Sequence, residues 1–310
     1  MAKVLTITLN PAIDITLQLD TLKVGEVNRQ QSAQSLAAGK GLNVAQVLKD
    51  LGHSPIVTGF LGQSNRQIFD KHFEKEGLDN HFIYIHGETR HNIKVAEQSG
   101  RMTDINGKGF FVDEDAKNRL RETISQLIDQ VEIIAISGSL PQGFSPDELI
   151  ELIEWLKSKG KKVAVDTSGK ALSAAISANP WLIKPNTDEL SEAYNAPANT
   201  FAEQKAVFDK LNATIENIIV SMGEEGVNWL HPSHPLHAKA PKVTVKSTVG
   251  AGDSLVAGMI HGFLTKTAPE ETLKTATAIG SNAVTQIGFA IEDLSAIDKL
   301  KQQISIDSLS

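Results

Sequence analysis

VEIIAISGSLPQGFSPDELIELIEWLKSKGKKVAVD, residues 131–166, reads as a complete strand–helix–strand unit. Val131 to Ser137 is a nearly continuous apolar run, the pattern of a strand covered on both faces. Ser145-Pro146-Asp147-Glu148 forms a capping box with proline at the first helical position, and Leu149, Leu152, Ile153 and Leu156 then share one helical face. Gly160 closes the helix, and Lys162 to Asp166 returns as a strand. A strand, a crossover helix and a second strand imply parallel pairing with a right-handed connection.

Outward from this unit the alternation continues. Trp181 to Lys184 and Asn217 to Ser221 read as further strands on the C-terminal side. Toward the N-terminus, Val4 to Leu9 is a strand stopped by Asn10-Pro11, and Ala38 to Gly52 is a helix with its stripe at Val44, Val47, Leu48 and Leu51. Ile56 to Phe60 is another strand, and a helix is expected over residues 65–76. Residues 13–35 and 81–112 carry no helical period. Their short β-like pieces predict a small sheet beside the main one. The expected fold is therefore a single three-layer α/β/α domain over residues 1–310, Rossmann-like, with a mainly parallel central sheet and a β appendage built from about 12–36 and 82–112.

Ligands of such sheets sit beyond the C-terminal ends of the strands. The most unusual stretch that must fall there is STVGAGDS, residues 247–254, which runs straight into the apolar-striped segment 255–264. Gly250 and Gly252 at a helix entrance allow close backbone approach to an oxyanion, and the first-turn amides and helix dipole favour negative charge. Asp253 reads either as a general base or as an ordinary helix cap.

Composition narrows the function classes. The chain has 310 residues, no cysteine and a net charge of −7. Disulfides and thiol chemistry are thereby excluded, and nucleic-acid binding is not expected. No apolar run approaches the roughly 18 residues needed to cross a bilayer, and the first residues lead directly into a strand, so no membrane association and a cytoplasmic location are expected. Residues 1–110 hold 12 Lys+Arg against 11 Asp+Glu, leaving 18 against 26 for the rest. An anionic ligand would find its basic contacts in that first third. His231, His234 and His237 recur every third residue, but Pro232 and Pro235 break any helix that would converge them, so a surface loop is expected rather than a metal site.

Neither common nucleotide fingerprint is present: Gly39-Lys40 is followed by Gly41, and no third glycine follows Gly250-Ala251-Gly252 at 255. Gly39-Lys40-Gly41-Leu42-Asn43-Val44-Ala45 together with Gly250-Ala251-Gly252-Asp253-Ser254 instead resembles the two signatures of the ribokinase-like, or phosphofructokinase B, family of carbohydrate kinases. Ser137-Gly138-Ser139-Leu140-Pro141, Lys184-Pro185-Asn186-Thr187-Asp188-Glu189 and the turn 222–226 extend the resemblance over nearly the whole chain.

The resemblance implies ATP-dependent phosphorylation of a sugar hydroxyl under a β lid, with a homodimer formed through that lid. Asp253 would be the base, and Gly250, Ala251 and Gly252 the anion hole. Asp14, Gly39, Lys40, Gly41 and Asn43 would hold the sugar. Lys184, Asn186, Ser221, Gly223, Gly226 and Asn282 would border the nucleotide, and Glu189 would contact Mg2+ through water. Within the family, Gly87 to Lys94 with Thr103 to Asn106 resembles the 1-phosphofructokinase branch, so the expected acceptor is fructose 1-phosphate. Arg29 and Arg90, with Lys94 and Lys40, would meet the phosphate it already carries, and Ser139 would contact the substrate. Tagatose 6-phosphate and fructose 6-phosphate are the alternative acceptors, and a non-catalytic sugar-phosphate sensor is the alternative class. One departure stands out: the family usually has two glycines before the lysine, and here the first is Ala38. If that position needs φ > 0, alanine costs roughly 1–2 kcal/mol and alters lid closure.

Overall fold

The computed structural model describes residues 3–210, 214–286, 288 and 290–309. An eleven-stranded sheet runs through the centre in the order Ile306–Ser308, Leu236–Ala238, Val227–Leu230, Asn217–Ser221, Leu182–Ile183, Lys162–Asp166, Ile133–Ser137, Lys3–Thr8, Ser54–Gly62 and Asp79–Asn80, with Ile83–Ile85 also on Ser54–Gly62. Pairing is parallel from Asn217–Ser221 to the Asp79–Asn80 edge. Val227–Leu230, Leu236–Ala238 and Ile306–Ser308 add antiparallel. Those three additions have too little periodicity to be read from sequence.

Helices cover both faces. Glu114–Leu127, Pro146–Ser158, Gly169–Ser177, Thr187–Tyr194 and Phe201–Lys210 pack one side through Leu120, Leu149, Leu172, Leu190 and Val207 against Leu5, Ile134 and Val165. Lys40–Asp50, Ala251–Leu264, Pro269–Val284 and Leu294–Lys301 pack the other through Val44, Val256, Ala276 and Ile297 against Val4, Ala135 and Ile219. The Ser145–Glu148 capping box forms as its spacing implies. No helix among the described residues is long and apolar enough to cross a membrane.

A separate four-stranded sheet has the order Ser32–Ala38, Ala12–Leu19, Arg90–Glu97, Met102–Asn106. Its two central strands are parallel, which places Asp14 opposite Asn92 and Thr16 opposite Lys94. The second excursion enters this sheet at Arg90, because Ile83–Ile85 pairs with the central sheet instead. Residues 25–31 form an exposed loop before the strand Ser32–Ala38. Ala38 ends that strand paired with Ala12 and is not one of the non-glycine residues with positive φ among the described residues, so no alanine penalty arises there. The unusual backbone falls one residue later, at Gly39, with φ 153°.

Strand order reverses around Lys3–Thr8: Ser54–Gly62 lies on one side and Ile133–Ser137 on the other. The loops beyond their carboxyl ends therefore separate and leave a crevice.

Candidate active site

A cleft of about 410 Å³ opens at that reversal. Its walls come from Asn10 and Ser139 beyond two adjacent strands, from Asp14, Arg90 and Asn92 on the small sheet, and from the entrances of the helices Lys40–Asp50 and Ala251–Leu264.

Both helix entrances depend on glycine. An added Cβ at Gly39 would come within 2.8 Å of Thr8 Cγ2, and the backbone there already excludes most L-residues. Gly250 caps the second helix at φ 80°, in the left-handed region, with no side-chain cap bond. The cap reading of Asp253 therefore fails. Its side chain instead accepts a 2.7 Å hydrogen bond from Asn43 Nδ2, joining the first turns of helices 210 residues apart in sequence.

Asp253 is 5% exposed. Burial, reinforced by the charge of nearby Asp166, pushes its pKa up to about 7, against the opposing pull of Lys40, Asn43 and Lys184. A carboxyl group that is half ionised near neutrality can accept and release a proton there.

Asp166 is the residue that sequence reasoning missed. It ends the apolar strand Lys162–Asp166 and is 1% exposed. Lys40 Nζ lies 3.4 Å from each of its oxygens, and Lys184 Nζ lies 3.4 Å from Oδ1. Burial alone would raise the Asp166 pKa, but the two ammonium groups together hold it below the ordinary carboxylate range. Lys40 answers in kind: burial works against its charge, and Asp166, Asp253 and Glu189 outweigh burial and raise its pKa. Lys184 lies beneath the turn 250–252, its Nζ 3.1 Å from where a Cβ on Gly252 would sit. Two fixed positive charges thus adjoin the helix entrance. A charged residue directly after the apolar run Val163-Ala164-Val165, at the carboxyl end of the strand, was the clue available in the sequence.

Asp14 accepts from Asn92 Nδ2 at 3.1 Å and from Lys94 Nζ at 2.6 Å. Lys94 is thereby committed to Asp14. Arg90 donates from Nε to the Pro11 carbonyl, from Nη1 to Gly107 O and from Nη2 to Asn10 O, with Ser139 Oγ 3.4 Å away. Burial holds its pKa below the usual arginine value, yet it remains a cation at neutral pH. Arg29 does not join this group; it is exposed on the loop before Ser32 and does not line the cleft.

Of the expected nucleotide residues, Lys184, Asn186, Ser221, Gly223 and Gly226 occupy neighbouring strand ends outside the cleft wall. Asn186 and Glu189 form a reciprocal capping box, Asn186 Oδ1 accepting from Glu189 N at 2.7 Å and Glu189 Oε2 from Asn186 N at 2.9 Å. Ser221 bridges to Asn186, and Gly223 and Gly226 bracket a tight turn with φ 59° and 111°. Asn282 is buried in the helix Pro269–Val284. His231 and His234 stack with ring centroids 3.6 Å apart beside Trp229, and no cluster of three His, Asp or Glu able to hold a metal occurs among the described residues.

The family profile described as pfkB family carbohydrate kinase matches residues 7–295. A 1-phosphofructokinase of Vibrio cholerae serotype O1 is 45% identical over 308 residues, covering 99% of this chain and 97% of that protein. One from Haemophilus influenzae is 40% identical over 308 residues, with 99% and 98% covered. Among solved structures, the phosphofructokinase-2 of Escherichia coli in complex with fructose-6-phosphate superposes with a TM-score of 0.87 at 26% identity, over 97% of this chain and 99% of the other.

Proposed function

Because this chain belongs to the pfkB family of carbohydrate kinases, we propose that it uses ATP to phosphorylate D-fructose 1-phosphate, forming D-fructose 1,6-bisphosphate. The observation that carries the reading is Asp253: a buried carboxyl group, its pKa raised to about 7, at a glycine-lined helix entrance beside two lysines. Phosphoryl transfer needs an oriented hydroxyl, a proton acceptor and stabilisation of charge on the moving phosphoryl group. Asp253 takes the proton. The amides of Gly250, Ala251 and Gly252, with Lys40 and Lys184, face the developing negative charge.

The sugar lies against Asp14, Asn43, Gly39 and Gly41, and the phosphate it already carries meets Ser139 and the remaining donor capacity of Arg90. The nucleotide lies along Lys184, Asn186, Ser221, Gly223 and Gly226 toward Asn282. Magnesium suits this arrangement as an ion carried by the triphosphate, since it is usually held by one or two carboxylates and water rather than by a full protein cage. Glu189 has one oxygen committed to Asn186 N, which leaves the other for a bound water. When present, the ion neutralises phosphate charge.

The relatives named 1-phosphofructokinase favour fructose 1-phosphate over tagatose 6-phosphate and fructose 6-phosphate. A non-catalytic sensor would have no use for a buried base that costs stability. Apolar Val24, Val27, Leu36, Met102 and Ile105 are exposed on or beside the small sheet, which supports a homodimer through this lid. A cytoplasmic location fits soluble metabolites as substrates. The test is ADP formation measured with the three phosphosugars in parallel. Turnover highest with fructose 1-phosphate supports the assignment, and a preference for fructose 6-phosphate overturns the branch.

A further inference from the structure

Asp14 and Asn92 face each other across the parallel pair of lid strands, and both line the cleft. Asn92 Nδ2 donates to Asp14 Oδ1, while Lys94 Nζ donates to Oδ2. A carboxylate only accepts, so the amide nitrogen of Asn92 must face Asp14 and its carbonyl oxygen must face away. That oxygen is buried and has no partner among the described residues. An unpartnered buried acceptor lowers stability. Among the described residues the amide's one side-chain partner is therefore Asp14, a carboxylate that lines the cleft, while its oxygen adds nothing to the stability of the fold.

We infer that Asn92 is a positioning residue for the acceptor sugar: together with Lys94 it fixes both oxygens of Asp14, so that the carboxylate meets the sugar hydroxyls in a single orientation. Without the amide, Asp14 is held only by a lysine, whose long side chain permits the carboxylate to turn. The site then retains its charge and loses its ability to read hydroxyl configuration. This inference rests on the kinase reading above. The charged groups around the pair are Asp14 itself, Lys94, Arg90, and Asp104, which stands opposite Lys94 on the next strand.

Two variants test it in the full-length protein. Asn92→Leu removes the donor together with the unpartnered oxygen. The expected result is an acceptor KM raised roughly tenfold or more, with kcat and the ATP KM little changed and the melting temperature close to wild type, because the lost bond to Asp14 and the removed unpartnered oxygen oppose each other. Asn92→Asp places a second carboxyl beside Asp14, and two adjacent carboxylates do not both ionise readily. At low pH the retained proton replaces the amide donor, so the acceptor KM stays near wild type; as pH rises the pair loses that proton, and the KM climbs while the wild-type value stays flat.

An Asn92→Leu acceptor KM equal to wild type would overturn the inference. So would a fall in melting temperature with KM for both substrates moving together, or an Asn92→Asp to wild-type KM ratio independent of pH. If wild type forms no acceptor-dependent ADP, the kinase reading itself has failed. Calorimetric binding of fructose 1-phosphate to the same three proteins then decides the role of Asn92, with equal affinity for wild type and Asn92→Leu, or no binding to wild type, counting against it.

Discussion

The bond from Asn43 to Asp253 makes a quantitative prediction about pH. In the free protein Asp253 has a pKa of about 7, set by burial and by Asp166 and opposed by Lys40, Asn43 and Lys184. If Asp253 is the proton acceptor proposed above, only its ionised form takes the hydroxyl proton, and kcat/KM for the acceptor should fall on the acid side of about 7, tenfold per pH unit. Asn43→Leu removes the hydrogen bond to the charged form. Bonds to charged groups contribute about 1.5–3 kcal/mol, which corresponds to an upward displacement of the acid limb by roughly 1–2 pH units. At neutral pH, where the wild-type group is half ionised, the variant should therefore lose roughly 5–50-fold in kcat/KM and regain most of the loss in alkali. The assay is coupled ADP release across the pH range at low acceptor concentration. Any contribution of Asn43 to sugar binding lowers the curve uniformly, whereas the pKa effect moves the limb sideways. A lowered curve with its limb in the wild-type position would refute the assignment of that limb to Asp253.

Three further outcomes follow from the same geometry. Asp166→Asn should move the acid limb the opposite way, below the wild-type position, because Asp166 raises the Asp253 pKa; it should also destabilise the fold by about 3–5 kcal/mol at neutral pH, the usual cost of removing one partner of a buried ion pair. Since the folded Asp166 pKa is depressed, that stability is present above the unfolded value and is lost as pH falls through the folded one, so chemical denaturation should show the gap closing in acid. Asp253→Asn should stabilise the protein: a carboxyl raised to about 7 when folded makes the native state bind more protons than the unfolded state above the ordinary carboxylate range, so the wild type loses stability as pH rises to that value, and a melting-temperature advantage of the variant should be large at pH 8 and small near pH 4. Ile105→Glu on the exposed lid face should shift the protein to smaller species in analytical ultracentrifugation if the lid joins two copies, and an unchanged sedimentation coefficient would count against that interface.

The parallel core was legible because its strands are short apolar runs separated by capped, striped helices, and 131–166 alone contains every element of that grammar. The antiparallel edge was not, because Leu236–Ala238 and Ile306–Ser308 are three residues each and gain their order from the neighbouring strand. Glycine turns pointed to both helix entrances, yet the partner of Asp253 lies 210 residues away and could not be read from its own segment. Lys94 shows the limit in another way. Its charge suited a phosphate, but the parallel register of the lid strands delivers it to Asp14. Asp166 ended a strand whose pattern was complete without it, and only the fold brings Lys40 and Lys184 to its two oxygens.

The most direct measurement is the turnover of Asp253→Asn beside wild type, with ATP and fructose 1-phosphate both saturating and binding of each followed separately by calorimetry. Loss of the base should lower kcat by about 10²–10⁴-fold while both ligands still bind with affinities close to those of wild type. A variant that retains wild-type kcat would contradict the account at its centre.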